Sequence, residues 1–116
     1  MKTKEENLRE ICKFIILNLS SKRLIDSSYT FRNIFTNSLG ILIDESVIIQ
    51  DLIENNLLKS EGIIDNSPFY KFVSCTEKGK KYYDDNLHTV NILEDDFPKE
   101  KLDLVKIFLG LKRPEF

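Results

Sequence analysis

The chain has 116 residues, 41% hydrophobic and 31% charged, with a formal net charge of −2. That length holds one domain's core and little more, and the composition is that of a folded chain rather than a disordered one. Two cysteines, one histidine and no Cys-x-x-Cys spacing argue against a zinc site, and no cofactor is expected.

The N-terminus, MKTKEENLRE, has no apolar segment of signal-peptide type, and no apolar run reaches the ~20 residues of a membrane span. A cytoplasmic protein without a membrane partner is the expectation. Lys4 to Ser20 is predicted as a helix with Leu8, Ile11, Cys12, Ile15 and Leu19 on one stripe. Phe14, Ile16 and Leu17 widen that stripe until the second half is apolar nearly all round, so it must be covered on more than one side. The extra cover is either the C-terminal helix or a second copy of the chain. Ser21 to Ser28 reads as a polar connection, after which Ser28 or Thr30 caps a short helix from Phe31 to Leu39. Gly40 ends it, and Ile41-Leu42-Ile43 follows. Three consecutive aliphatics are costly in water, so part of that turn is expected to be covered.

Asp44 is a good N-cap, able to accept the Val47 amide, for a helix running to Asn56. Ile48, Ile49, Leu52 and Ile53 take its inner side; Val47, Gln50, Asp51 and Glu54 take the outer side, with Glu45 and Ser46 at the edges. Asn56 suits a left-handed helix ending. Gly62 to Asp65 and Phe69 to Val73 read as two strands around the turn Asn66-Ser67-Pro68. Phe69, Tyr70 and Phe72 are read as packing residues, since strand alternation turns one of each neighbouring pair inward. Thr76 caps another helix, expected to reach about Leu93 before Glu94-Asp95-Asp96 breaks it. Phe97-Pro98 opens a last apolar helix that Gly110 closes.

The phrases Leu52-Ile53-Glu54-Asn55-Asn56-Leu57-Leu58 and Cys75-Thr76-Glu77-Lys78-Gly79-Lys80-Lys81-Tyr82 resemble those of winged helix-turn-helix regulators of the small MarR and PadR kind. The former stands where those proteins leave the recognition helix, with Asn56 in place of the usual Gly. The latter is similar to their Leu-Thr-Glu-Lys-Gly phrase after the wing, with Cys75 in place of Leu. The resemblance covers roughly residues 8–90. It implies a mainly α fold with a small antiparallel β-ribbon, a winged helix-turn-helix over residues 1–96, and an additional C-terminal helix and tail, 97–116, for docking or dimerisation. It also implies double-stranded DNA as partner and a homodimer formed through the N- and C-terminal helices.

Charge is unevenly placed. Residues 26–65 hold Arg32 and Lys59 against seven acids, although nucleic-acid binders usually gather positive charge on the reading element. No outward residue of the helix after Asp44 is basic. Gln50 can pair with adenine and Ser46 sits at the leading edge, so the phosphate contacts would fall to Arg32, Lys59, Lys71 and the cluster Lys78, Lys80 and Lys81. The plain alternative for that cluster is a solvated helix start. Two functions are therefore expected: a homodimeric, sequence-specific DNA-binding protein, as transcription regulator or plasmid-partition-type adaptor, or a protein-interaction module using Val47, Gln50, Asp51 and Glu54. Catalysis finds no footing, because no phrase joins His88 or a carboxylate to a nucleophile and no Gly-rich phosphate loop is present. The acidic runs Asp84-Asp85 and Glu94-Asp95-Asp96 read as surface turns, with weak divalent-cation binding as the lesser alternative.

Overall fold

Helix α1, Lys4–Lys22, is the spine of the molecule. Thr3 Oγ1 accepts the Glu6 amide at 3.1 Å, and Glu5 and Glu6 lie at the positive end of the helix. The computed structural model describes residues 3–113, so residues 1–2 and residues 114–116 of the expected tail lie outside it. Ile11, Cys12, Phe14, Ile15, Ile16 and Leu17 are all fully buried, which one packing partner could not achieve. Four elements supply the cover: α3 (Glu45–Glu54), β3 (Lys71–Cys75), α4 (Glu77–Asn86) and α5 (Lys99–Leu109) all pack on α1. The C-terminal helix of the same chain thus takes the extra face. Val105 and Leu109 reach the core, and Asn18, buried on α1, donates to the Phe108 carbonyl at 2.8 Å.

The expected polar connection contains a strand. Ile25–Ser27 forms β1, paired antiparallel with β3 in the register Ile25↔Val73 and Ser27↔Lys71. Three residues are too few to show an alternation, and only buried Ile25 marks the segment. Helix α2, Tyr29–Asn33, begins earlier than expected and widens into a π-helical turn, Ile34–Ser38, burying Phe31 and Phe35. Of the three aliphatics that follow, Ile41 is covered whereas Leu42 is 89% exposed.

Helix α3 is capped by Asp44, which accepts the Ser46 amide at 3.0 Å and is also favoured as a carboxylate by the Val47 amide. Ile48, Ile49 and Leu52 are buried and Asn56 takes φ 62°, as the sequence predicts. The ribbon pairs β2, Leu58–Lys59, with β3 through Leu58↔Cys75 and Lys59↔Ser74, and the sheet order is β1-β3-β2. Beyond β2 the ribbon continues through the Lys71 amide to the Gly62 carbonyl and the Ile64 amide to the Phe69 carbonyl, each 2.8 Å. The regular strands are therefore displaced from those expected, because the chain bulges between them. Ser60 Oγ donates to the Lys71 carbonyl at 2.7 Å, Gly62 takes φ 113°, and Phe72 takes φ 52°. The bulge breaks alternation, so Phe72, expected to pack inward, is exposed beside exposed Lys71.

Thr76 caps α4, accepting the Gly79 amide at 2.9 Å. The helix stops at Asn86, short of the expected Leu93. Asn86 donates to the Tyr82 carbonyl and Thr89 to the Asn86 carbonyl, local bonds that compete with helix continuation, and a 3-10 turn, Leu87–Thr89, follows. Pro98 precedes α5, and Gly110 closes it with φ 84°. Among the described residues no helix is long and apolar enough to cross a membrane.

Candidate functional site

Because Ile48, Ile49 and Leu52 point inward, the opposite side of α3 faces solvent. Val47, Gln50, Asp51 and Glu54 are all exposed and Ser46 is half-buried. Gln50 donates to Glu54 Oε1 at 3.3 Å, and the Ser46 hydroxyl donates to Asp44 Oδ1 at 2.6 Å. The Ser46 hydroxyl, with its backbone amide, holds the Asp44 carboxyl below the ordinary aspartate range.

Glu45, read from the sequence as an edge residue of the outer face, is fully buried. Arg32 Nε lies 2.9 Å from its Oε1. The Arg32 guanidinium also sits 5.0 Å above the Phe69 ring, which meets Tyr29 edge-on at 5.3 Å. Arg32 is thus engaged by a buried carboxylate and an aromatic face, with its side chain 41% exposed.

The remaining cations divide among separate surfaces. Lys71 is exposed on the ribbon. Lys59 lines a hollow on the sheet with Leu24 and Phe72. Lys78 lines a groove between α3 and α4 with Asp51, Asn55 and Tyr82. Lys80 and Lys81 face another cleft, with Ser21, Cys75, Asp84 and Asp85. Lys81 pairs with Asp85 at 2.9 Å, which pushes its ammonium above the usual lysine range. The cluster Lys78, Lys80 and Lys81 is therefore split between two sides of α4.

Two cations that sequence reasoning passed over flank α3. Arg9 and Lys13 of α1 line a hollow with Val47, Ile48 and Asp51. Lys13 Nζ donates to the Tyr82 hydroxyl at 2.8 Å and lies 4.6 Å from that ring's centre. No local pattern signals this, since α1 and α3 are brought together only by packing. Asp51 consequently faces a mixed environment rather than open solvent alone. Among the described residues no three His, Cys, Asp or Glu side chains converge as a metal site. None of the protein-family models, curated proteins or solved structures compared with this chain matches it.

Proposed function

We propose that the chain is a winged helix-turn-helix module of the small MarR or PadR kind that binds duplex DNA as a homodimer. In this reading α2 and α3 are the helix-turn-helix and the β2–β3 ribbon is the wing; the module is a binding protein of the cytoplasm, not a catalyst. The observation that carries it is the withdrawal of Glu45 from the surface. The leading end of α3 then offers Ser46, Val47 and Gln50, neutral groups suited to base edges, beside the exposed carboxylate of the cap Asp44. Exposed Lys59 and Lys71 on the ribbon supply phosphate contacts. Pairing of two copies is supported by the end of α5, where Leu111, just past the Gly110 cap, is 49% exposed.

Binding of random duplex DNA at low and moderate salt tests the reading. Affinity should fall steeply as salt rises, and Lys59→Glu with Lys71→Glu, the two ribbon cations, should abolish it. Absence of binding at low ionic strength would leave the alternative reading, a protein-interaction module. Its support is the outer side of α3, where Asp51 and Glu54 accompany Val47, 51% exposed, a surface suited to a partner with basic and apolar groups.

A further inference from the structure

Glu45 is the first residue of α3, and its side chain is only 1% exposed. Among the described residues neither carboxylate oxygen accepts a hydrogen bond. A buried carboxylate without compensation costs several kcal/mol, and Arg32 is the cation that faces it, at 2.9 Å. The same guanidinium covers Phe69 at the base of the ribbon turn. Ser28, just before α2, exchanges two further bonds with the ribbon: its amide donates to the Tyr70 carbonyl and its hydroxyl accepts the Tyr70 amide, each at 2.9 Å. Residues from α2, the start of α3 and the ribbon thus meet at one joint. The regular pairing of β2 with β3 spans two residues of β2, and beyond it the ribbon is held by the Ile63↔Tyr70 bridge and the bonds of the Glu61, Ile64 and Lys71 amides, close to where Arg32 sits over Phe69.

We propose that Arg32 is a positioning residue that fastens the start of α3 to the ribbon through Glu45 and Phe69, so that both move as one recognition surface. Its part in recognition rests on the DNA-binding reading above, whereas the fastening does not. A guanidinium whose Nε faces a carboxylate while its carbon sits over a ring spans two partners in a way a lysine ammonium cannot reproduce. The competing role for Arg32, direct phosphate contact, differs in a measurable respect. Loss of a phosphate contact lowers the slope of log affinity against log salt by about 1, and loss of a positioning residue leaves the slope unchanged.

The experiment compares Arg32→Ala, Arg32→Lys and Phe69→Leu with the unaltered chain by amide hydrogen exchange and by salt-dependent binding to duplex DNA. All three variants should speed exchange at the Ile64 and Lys71 amides by about tenfold or more, with the α1 amides unchanged. Arg32→Lys should behave like Arg32→Ala, and the salt slope should stay that of the unaltered chain. Unchanged ribbon exchange in Arg32→Ala and Phe69→Leu would overturn the proposal, as would a slope lowered by about 1 with exchange unaffected. If Arg32→Ala fails to fold, Phe69→Leu, which retains the ion pair, decides. Failure of the unaltered chain to bind DNA would remove the DNA reading while the exchange rates still judge the joint.

Discussion

Gly79 lies in the phrase Thr76-Glu77-Lys78-Gly79, and its packing gives that phrase a physical reason. A Cβ there would run into the Leu57 carbonyl oxygen and come within 2.8 Å of Cys75 Sγ. Backbone cannot yield as a flexible side chain does, so glycine allows α4 to approach the end of the α3–β2 connection. In an exposed helix Gly→Ala stabilises by about 1 kcal/mol; here Gly79→Ala should instead destabilise by about 1–3 kcal/mol, read as a lower denaturant midpoint. The two thiols differ chiefly in burial. Cys12 is fully enclosed and its pKa is pushed up to about 12, whereas Cys75 is half-buried and raised chiefly by burial. At pH 8 an alkylating reagent should modify native Cys75 slowly and leave Cys12 untouched until the chain unfolds; equal labelling in the native state would contradict the packing of α1.

At the scale of elements, the caps of α3 and α4 are the features whose loss can be measured. Thr76 Oγ1 accepts the Gly79 amide and donates to the Asn56 carbonyl at 2.6 Å, so it joins α4 to the end of α3. Thr76→Ala should cost about 1–2 kcal/mol, seen in thermal unfolding. Asp44 adds a pH dependence. Its pKa is lowered in the folded chain, above all by the Ser46 hydroxyl, so the stability it contributes is present above the unfolded aspartate value of about 4 and is lost as pH falls through the lower folded value. Melting temperatures of the unaltered chain and Asp44→Asn should therefore differ at pH 6 and converge in strong acid. A difference independent of pH would show that the carboxylate is not the group responsible. The same capping logic explains where α4 stops: local bonds of Asn86 and Thr89 end it, where apolar periodicity alone suggested several more residues.

The whole molecule is organised by one helix that no single neighbour could cover. Buried Asn7 and Asn18 of α1 bond to the Asn91 and Phe108 carbonyls, tying the spine to the C-terminal third. Phe97, Val105 and Leu109 belong to the same buried core as α1. Leu109→Ala should accordingly cost about 2–5 kcal/mol and lower the unfolding midpoint of the entire chain in one transition; a separate early transition would mean that α5 is not part of the common core. Dimerisation is thereby separated from the burial of α1, because that helix is already covered within one chain. Sedimentation of the unaltered chain and of Leu111→Glu should show a dimer that the substitution weakens. A monomer at micromolar concentration in both would remove the pairing proposed at the end of α5.

The order of α1, α2, α3, ribbon, α4 and α5 was legible in the sequence, because it is written in local signals. Helical spacing put Ile48, Ile49 and Leu52 inside, Asp44 and Thr76 are caps by residue type, Asn56 permits a left-handed ending, and Gly110 closes α5. Strand β1, the bulge that turns Phe72 outward and the early end of α4 were not legible, since each depends on partners distant in the chain or on bonds that override periodicity. The candidate surface divides in the same way. Which residues of α3 face away from its isoleucines follows from 100° per residue. That Glu45 is nevertheless buried, that Arg32 of α2 pairs with it, and that Lys78 parts company with Lys80 and Lys81 were decided by tertiary packing. Charge in a sequence has a sign and a position, but only the fold determines which opposite charge it meets.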